Sequence, residues 1–291
     1  MKIINYLLFG LLAGLALFSN ACEEIPPVIN PFTGEPPDTV VDVENQQRQV
    51  LIEEFTGVRC VQCPAGSAEI ATLLAIHGER LVAVSIHAGD FVYPFPTSQY
   101  NFQTQEGDDL YNFLDSPNSF PSAVIDRKLF EGENDLPLGR NQWAGFIEQE
   151  KAIDPLIKIA VQPTFNETTR KLDVELKLYP QEIISEPDVR LSVMLTESNI
   201  VDIQDTPDGK VTDYKHKHVL RHMLTSYLGD AISESLAPGN VITKNYSFTL
   251  PESWNAGEPS LQENEMHVVA FVHLGTTSKE VLQAIEVPMI K

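Results

Sequence analysis

The chain has 291 residues, of which 43% are hydrophobic, and a formal net charge of -21 at pH 7. The hydrophobic fraction excludes a wholly disordered chain, because disordered segments lack the apolar residues that a core needs. The acidic balance disfavours nucleic acid as a partner, since a negative surface repels the phosphate backbone. The length leaves room for two domains of ordinary size.

Residues 1–21 are predicted to be a signal peptide that is not part of the fold. Lys2 supplies a positive charge, and residues 7–18 form an apolar run that is too short to span a bilayer. Small or polar residues follow this run and lead directly to Cys22. The segment resembles a lipoprotein signal peptide, which implies that Cys22 carries a lipid and becomes the mature N-terminus. An ordinary signal peptide with an incidental Cys22 is the alternative.

The cysteine count agrees with a lipid on Cys22. The chain has three cysteines, an odd number for an exported protein. If Cys22 is lipidated, Cys60 and Cys63 remain as a self-contained pair, which suits an oxidising compartment. Residues 22–48 are predicted to be the lipidated tether, because prolines are frequent there and favour an extended, poorly packed chain.

The order strand, CxxC motif, helix and strand opens the region after the tether. Cys60 and Cys63 lie between an apolar strand candidate and a segment with the apolar spacing of a helix, and a second apolar strand candidate follows. This order predicts an α/β domain over residues 49–153, which ends where Asp154-Pro155 breaks its last helix. The predicted elements are strands at 49–55, 81–87 and 122–126 and helices at 65–77, 108–114 and 140–153.

Residues 88–119 connect two of these predicted strands over an unusual length. They are rich in aromatic side chains, which could supply apolar contacts to a partner at the edge of the sheet that carries Cys60. The alternative is that the rings pack the segment against its own domain. The four candidate binding residues are Tyr93, Phe95, Tyr100 and Phe102.

Residues 154–291 show an all-β pattern. In residues 171–179, apolar and charged side chains alternate with the period of two that is typical of a half-buried strand. Turn residues such as Pro207-Asp208-Gly209 and Pro238-Gly239-Asn240 separate the strand candidates. Six or seven strands without helical periodicity predict an immunoglobulin-like β-sandwich. The other strand candidates are 156–165, 189–196, 241–250, 267–274 and 281–290.

The CxxC motif has a chemical rationale at the start of a helix. The helix N-terminus stabilises a thiolate on Cys60, the expected nucleophile, and the spacing lets Cys63 resolve a mixed disulfide. Arg59 adds a local positive charge. Zinc is the competing interpretation, but this CxxC supplies only half of a four-ligand site and the sequence has no second one. We therefore expect neither a metal nor another cofactor.

Two further features resemble thioredoxin-fold proteins. Glu54 and Phe55 precede Cys60 by six and five residues, and Phe120-Pro121 stands where that fold places a cis-proline loop. The resemblance implies that Glu54 assists proton transfer to the resolving cysteine and that Pro121 lies against the disulfide. An exposed strand glutamate is the alternative for Glu54. Because Val61-Gln62 replaces the usual Gly-Pro and no Trp precedes the motif, the redox potential cannot be carried over.

The chain as a whole resembles the outer-membrane-protein-28-related lipoproteins of Bacteroidetes. This resemblance implies an α/β thioredoxin-like domain over residues 49–153, an all-β immunoglobulin-like sandwich over residues 154–291, and an outer membrane lipoprotein of the cell envelope. Which face of the outer membrane it occupies stays open. The segments that carry the resemblance are 53–64, 120–127, 218–221 and 281–284, together with the signal that ends at Cys22.

A histidine cluster forms a separate metal-binding candidate. In a strand, His216 and His218 would share a face and could bind a metal, whereas His222 lies further along. Because Lys215 and Lys217 would repel a cation, a structural or surface role is the main expectation.

Two functions follow from these features. The first is a non-catalytic protein that binds exported proteins or peptides through the thioredoxin-like scaffold, with Cys60–Cys63 as a structural disulfide. The second is an extracytoplasmic thiol–disulfide oxidoreductase. The aromatic segment, the added β-domain and the lipid tether favour binding as the physiological role, and whether the protein is an enzyme stays open. The membrane is a partner through the lipid on Cys22, and nucleic acid is not a partner.

Overall fold

The computed structural model describes residues 43–290, so the predicted signal peptide, Cys22 and most of the tether lie outside the described residues. The first half of this range combines strands with helices. Its elements are β1 (Val50–Thr56), α1 (Cys63–His77), β2 (Leu81–His87), α2 (Gln105–Phe113), β3 (Ser122–Ile125), β4 (Leu138–Gly139) and α3 (Trp143–Lys151).

The second half is built from strands and short turns. Its strands are β5 (Ile157–Asn166), β6 (Lys171–Pro180), β7 (Val189–Glu197), β8 (Ile200–Thr206), β9 (Gly209–His216), β10 (Val219–Met223), β11 (Asp230–Ala231), β12 (Ile242–Thr249), β13 (Met266–Leu274) and β14 (Val281–Pro288). No helix within residues 43–290 combines the length and apolar character needed to cross a bilayer.

A nine-stranded mixed sheet joins the two halves. Its order is β14-β13-β7-β10-β2-β1-β3-β4, and β11 pairs with β7. β1 and β2 are parallel, with Val50 opposite Leu81, whereas β3 is antiparallel to β1. β10 joins the two halves because it runs parallel to β2, with Val219 opposite Ser85. The domain boundary between residues 153 and 154 stays a prediction, and strands from both sides of it share this sheet.

Helices cover both faces of β1 and β2. On one face, α1 and α3 bury Ile70, Leu73 and Trp143 against these strands. On the other face, α2 contributes Leu110 to a cluster with Phe55. All seven residues of β1 and of β2 are buried, as expected for strands that are covered on two sides. The predicted strand, helix and strand around the CxxC motif are therefore confirmed as elements.

A second sheet, ordered β12-β6-β5, packs on β7, β13 and β14. Its middle strand β6 buries Leu172, Val174, Leu176 and Leu178, so the alternation seen in the sequence does place one face of the strand in the core. The architecture is therefore mostly β, with a mixed sheet and a few helices.

The structure contains a hairpin that the strand pattern did not predict. Strands β8 and β9 pair only with each other among the described strands, and they meet at the predicted turn Pro207-Asp208-Gly209. His216 ends β9, whereas His218 follows it with a φ of 54°. The expectation that these two histidines share a strand face is therefore wrong, because the chain turns between them.

Candidate functional site

The candidate site lies where β1 ends and α1 begins. Cys60 and Cys63 form a disulfide with a Cα–Cα distance of 5.3 Å, and Cys63 is the first residue of α1. Its amide donates a hydrogen bond to the carbonyl oxygen of Cys60 at 3.2 Å. Residue exposure is 3% for Cys60 and 1% for Cys63, although Val61 and Gln62 between them are exposed. The predicted disulfide pair thus sits at a helix N-terminus, where a thiolate is favoured.

Glu54 lies beside the first turn of the same helix. A Cβ atom placed on Gly66 would be 2.5 Å from Oε1 of Glu54 and 2.7 Å from Cβ of Pro121, so these three residues meet at one point. Glu54 is fully buried, and Oγ of Ser85 donates a hydrogen bond to its Oε2 at 3.3 Å. Burial raises the pKa of Glu54 to about 8, so its carboxyl group is mostly neutral at pH 7.

The neighbouring Glu53 has a different environment on the other face of β1. Nε and Nη2 of Arg127 donate to its two carboxylate oxygens at 2.7 and 2.6 Å, and both side chains are fully buried. The Arg127 guanidinium also stacks over the Phe271 ring at 4.7 Å. The alternative of an exposed strand glutamate is wrong for Glu54, since both faces of β1 are covered.

The peptide bond between Phe120 and Pro121 is cis, as predicted. Pro121 approaches α1 at Gly66, one turn beyond the cysteines. The ring of Phe120 packs edge-on against Phe91 at 5.4 Å and stacks near Tyr111 at 6.3 Å. An aromatic cluster therefore surrounds the residue that precedes the cis-proline.

Most of the candidate binding residues face inward. Tyr93 is 57% exposed, but Phe95 is 7% and Phe102 is 2% exposed. The ring of Tyr100 stacks on Phe102 at 5.9 Å, and Phe102 also lies 4.6 Å from the ring of His216. The expected binding surface is therefore corrected for Phe95 and Phe102, because their rings pack the segment against its own protein.

The hairpin of β8 and β9 covers the loop that carries Cys60. Its Gln204 and Asp205 hydrogen-bond the backbone of residues 57–60. This contact could not be predicted from the sequence, since Gln204 is 144 positions away from Cys60 and a lone glutamine carries no signal. Only the pairing of distant strands brings the two segments together.

The histidine cluster divides between two places. His216 packs against His87 with ring centroids 5.6 Å apart, and burial lowers the pKa of His216 to about 4. His222 is elsewhere, where its Nδ1 lies 2.9 Å from Oε1 of Glu106. Within residues 43–290, no three or more His, Cys, Asp or Glu side chains come together as metal ligands.

Comparisons with known proteins identify one family. The family described as "Outer membrane protein Omp28" matches residues 108–289. No curated protein sequence matches the chain.

Solved structures provide further matches. HBP35 of Porphyromonas gingivalis is 18% identical with a TM-score of 0.67, and the alignment covers 84% of this chain and 76% of that one. A protein from Agrobacterium tumefaciens is 12% identical with a TM-score of 0.52, over 84% of this chain and 96% of that one. A domain of the outer membrane lipoprotein Omp28 from Porphyromonas gingivalis is 18% identical, but its TM-score of 0.32 carries no structural argument; it covers 46% and 88% of the two chains. At these identities, the first two matches show a similar fold alone.

Proposed function

Because the chain belongs to the Omp28 family of outer membrane proteins, we propose that it is a lipoprotein that performs thiol–disulfide exchange on exported polypeptides through Cys60 and Cys63. Its localisation at the outer membrane follows from the family, in agreement with the sequence. The apolar run before Cys22 is too short to span the bilayer. In this proposal the lipid on Cys22 therefore supplies the anchor.

The fold divides into two domains in this proposal. Residues 49–153 form a thioredoxin-like domain and residues 154–291 form an immunoglobulin-like sandwich that shares a sheet with it. The parallel pair β1 and β2, the helix that starts at Cys63 and the cis-proline beside that helix support the first assignment. The two facing sheets around β6 support the second.

The burial of Glu54 is the observation that carries the redox assignment. A buried carboxyl group without an ion pair lowers the stability of the folded protein, so a purely structural disulfide gives no reason to keep one beside it. A redox-active pair does give a reason to keep it, because the thiolate that forms on Cys63 when the disulfide opens needs a proton. With a pKa of about 8, Glu54 holds that proton at neutral pH and can release it to a stronger base.

The exchange step follows from this arrangement. In the disulfide form, a thiolate of an exported polypeptide attacks Sγ of Cys60, and a mixed disulfide forms. The bond between the two cysteines breaks, its electron pair leaves on Sγ of Cys63, and this thiolate takes the proton of Glu54. A second thiol of the polypeptide, deprotonated by solvent base, then displaces Cys60, so that the polypeptide gains a disulfide and the protein is left with two reduced cysteines.

Protein binding with a structural disulfide is the second candidate. The nearly complete burial of both cysteines favours it, because an attacking thiol needs access to sulfur. Tyr93 is exposed beside the site and would contact such a partner. The buried rings of Phe95 and Phe102 would pack beneath this contact surface.

The reduction potential of the pair separates the two candidates. The protein is equilibrated with defined ratios of reduced and oxidised dithiothreitol, and the fraction of Cys60–Cys63 disulfide is measured by alkylation and mass spectrometry. Exchange predicts a potential above about -300 mV, in the range of known oxidoreductases. A value well below about -300 mV would indicate a structural bridge and would favour the binding candidate.

A further inference from the structure

We infer that the hairpin of β8 and β9, residues 200–216, is a cap that controls access to Cys60. The inference rests on the proposed function, because it concerns the regulation of the same disulfide. Cys60 is 3% exposed although it lies in a surface loop whose next two residues are exposed. The hairpin belongs to the second half of the chain and lies directly against this loop.

Three hydrogen bonds hold the hairpin on the loop. Nε2 of Gln204 donates to the carbonyl oxygens of Gly57 at 3.2 Å and Cys60 at 3.1 Å. The backbone amide of Asp205 donates to the carbonyl oxygen of Val58 at 2.8 Å. Gln204 is itself buried, and its Nε2 also donates to the carbonyl oxygen of Asp205 at 3.0 Å. The hairpin thus binds the backbone of the loop that carries Cys60.

Side chains add a second set of contacts around the same loop. The Phe95 ring lies between Cζ of Arg59 at 4.6 Å and Nζ of Lys210 at 4.1 Å, so a cation from the loop and one from the hairpin share one ring. On β9, the side chain of Tyr214 lies near Ser67 of α1. The apolar residues beneath the hairpin are Val58, Phe95, Phe102, Ile200, Ile203 and Val219.

The hairpin is attached to the main sheet at a narrow neck. Asn199 and His218 have φ angles of 57° and 54°, so the chain turns sharply where the hairpin leaves and where it returns. The amide of His218 donates to Oγ of Ser198 at 2.9 Å and ties the two sides of the neck together. Between these points, β8 and β9 pair with each other and with no other described strand. The hairpin can therefore lift without breaking a ladder of the main sheet.

Capping has a direct chemical consequence. An attacking thiolate must approach Sγ of Cys60 along the line of the disulfide, form a bond there and expel Sγ of Cys63 with the electron pair. Because the hairpin covers this loop, we expect attack to require either a partner that displaces the hairpin or its spontaneous opening. The cap would limit exchange to partners that engage it and would protect the pair from small thiols.

The test measures how fast dithiothreitol reduces the disulfide in the full-length protein. In the double variant Gln204→Ala/Asp205→Pro, all three hydrogen bonds from the hairpin to the loop are removed, since proline has no amide hydrogen. We expect the second-order rate constant to rise at least about fivefold, the factor that corresponds to losing one ordinary hydrogen bond. The matched control is Thr212→Ala, an exposed position of the same hairpin, which should leave the rate unchanged.

Each outcome decides the inference. A rate constant within about twofold of the wild-type value would overturn it, because these contacts would then not guard Cys60. This holds whether or not hydrogen exchange shows that the hairpin of the variant is loosened. If the double variant does not fold, the reduction rate of Gln204→Ala alone is measured and judged by the same criterion. The readout needs no physiological substrate, so a rise in rate supports the cap even if the pair proves to be structural, and the reduction potential decides that separate question.

Discussion

Glu53 and Glu54 are neighbours in β1 that are both fully buried, yet only Glu53 has a cationic partner among the described residues. Arg127 binds both carboxylate oxygens of Glu53 on one face of the sheet. Glu54, on the other face, accepts one hydrogen bond from Ser85, and burial raises its pKa to about 8. The same residue type therefore forms an ion pair at one position and stays mostly protonated at neutral pH at the next.

Replacement of Glu54 should change how stability depends on pH. Between the ordinary glutamate pKa of 4.5 and about 8, the folded state keeps a proton that the unfolded state has released, so the contribution of Glu54 to the free energy of unfolding falls as pH rises. Glu54→Gln has no carboxyl group at this position, so its free energy of unfolding does not decrease with pH through this residue. We expect it to be more stable than the wild type at about pH 8.5, by roughly 2 kcal/mol or more, and equal to it near pH 4.5.

Urea unfolding at a series of pH values measures this difference. Asp126 and Glu286 also have raised pKa values, of about 6 and 7, so the wild-type curve contains their titration as well. The difference between wild type and Glu54→Gln removes these shared contributions. Parallel curves for the two proteins would contradict the assignment of a raised pKa to Glu54.

Glu53→Gln should have the opposite effect. The substitution leaves the Arg127 guanidinium buried with a neutral partner, and breaking a buried ion pair from one side is strongly destabilising. We expect a loss of roughly 3 kcal/mol or more in the free energy of unfolding at pH 7. A lower urea midpoint with an unchanged slope is the expected observation, and stability equal to that of Glu54→Gln would refute the contrast between the two faces.

Two helical glycines provide a matched test of the packing around Glu54. A Cβ on Gly66 would collide with Oε1 of Glu54 and with Pro121, whereas a Cβ on Gly145 of α3 meets nothing within 4 Å. Gly145→Ala should stabilise the protein by about 0.5–1 kcal/mol through helix propensity. Gly66→Ala should instead destabilise it by roughly 1–3 kcal/mol through overpacking. Thermal unfolding measures both, and a stabilised Gly66→Ala variant would show that the site is looser than described.

Under the proposed function, anchoring depends on Cys22, which lies outside the described residues. Cys22→Ala should remove the lipid, so that the protein appears in the soluble fraction instead of partitioning into detergent. The alternative of an ordinary signal peptide predicts no difference between this variant and the wild type. Mass spectrometry of the mature N-terminus checks the same point, since an intact and unmodified terminus would exclude lipidation.

The local order of the chain around Cys60 could be predicted from the sequence. A strand, a helix start and a buried second strand each depend on neighbouring residues, and the apolar spacing is strong there. The cis bond before Pro121 was also predicted, although only by resemblance. These parts of the site lie within a single segment of the chain.

The hairpin and strand β10 could not be predicted, because their positions depend on pairing over long distances. Val219 is placed beside Ser85 by the completed sheet, and β8 and β9 alternate too weakly to be recognised as strands. For the same reason, the sequence suggested a metal-binding pair at His216 and His218, although the chain turns between them. Burial of Phe95 and Phe102 was likewise set by the hairpin, which the sequence did not reveal.

Trapping of a mixed disulfide measures whether Cys60 exchanges disulfides with exported polypeptides, as proposed. In Cys63→Ser, the thiolate of Cys60 can attack a disulfide of an exported polypeptide, and the mixed disulfide should persist because Cys63 is not there to release Cys60. Envelope extracts are prepared under oxidising conditions with acid quenching, and linked proteins are identified after non-reducing separation, with Cys60→Ser/Cys63→Ser as the control. We expect exported polypeptides joined to Cys60 in the single variant and none in the control. Recovery of no linked protein, while a small alkylating reagent still modifies Cys60, would contradict it.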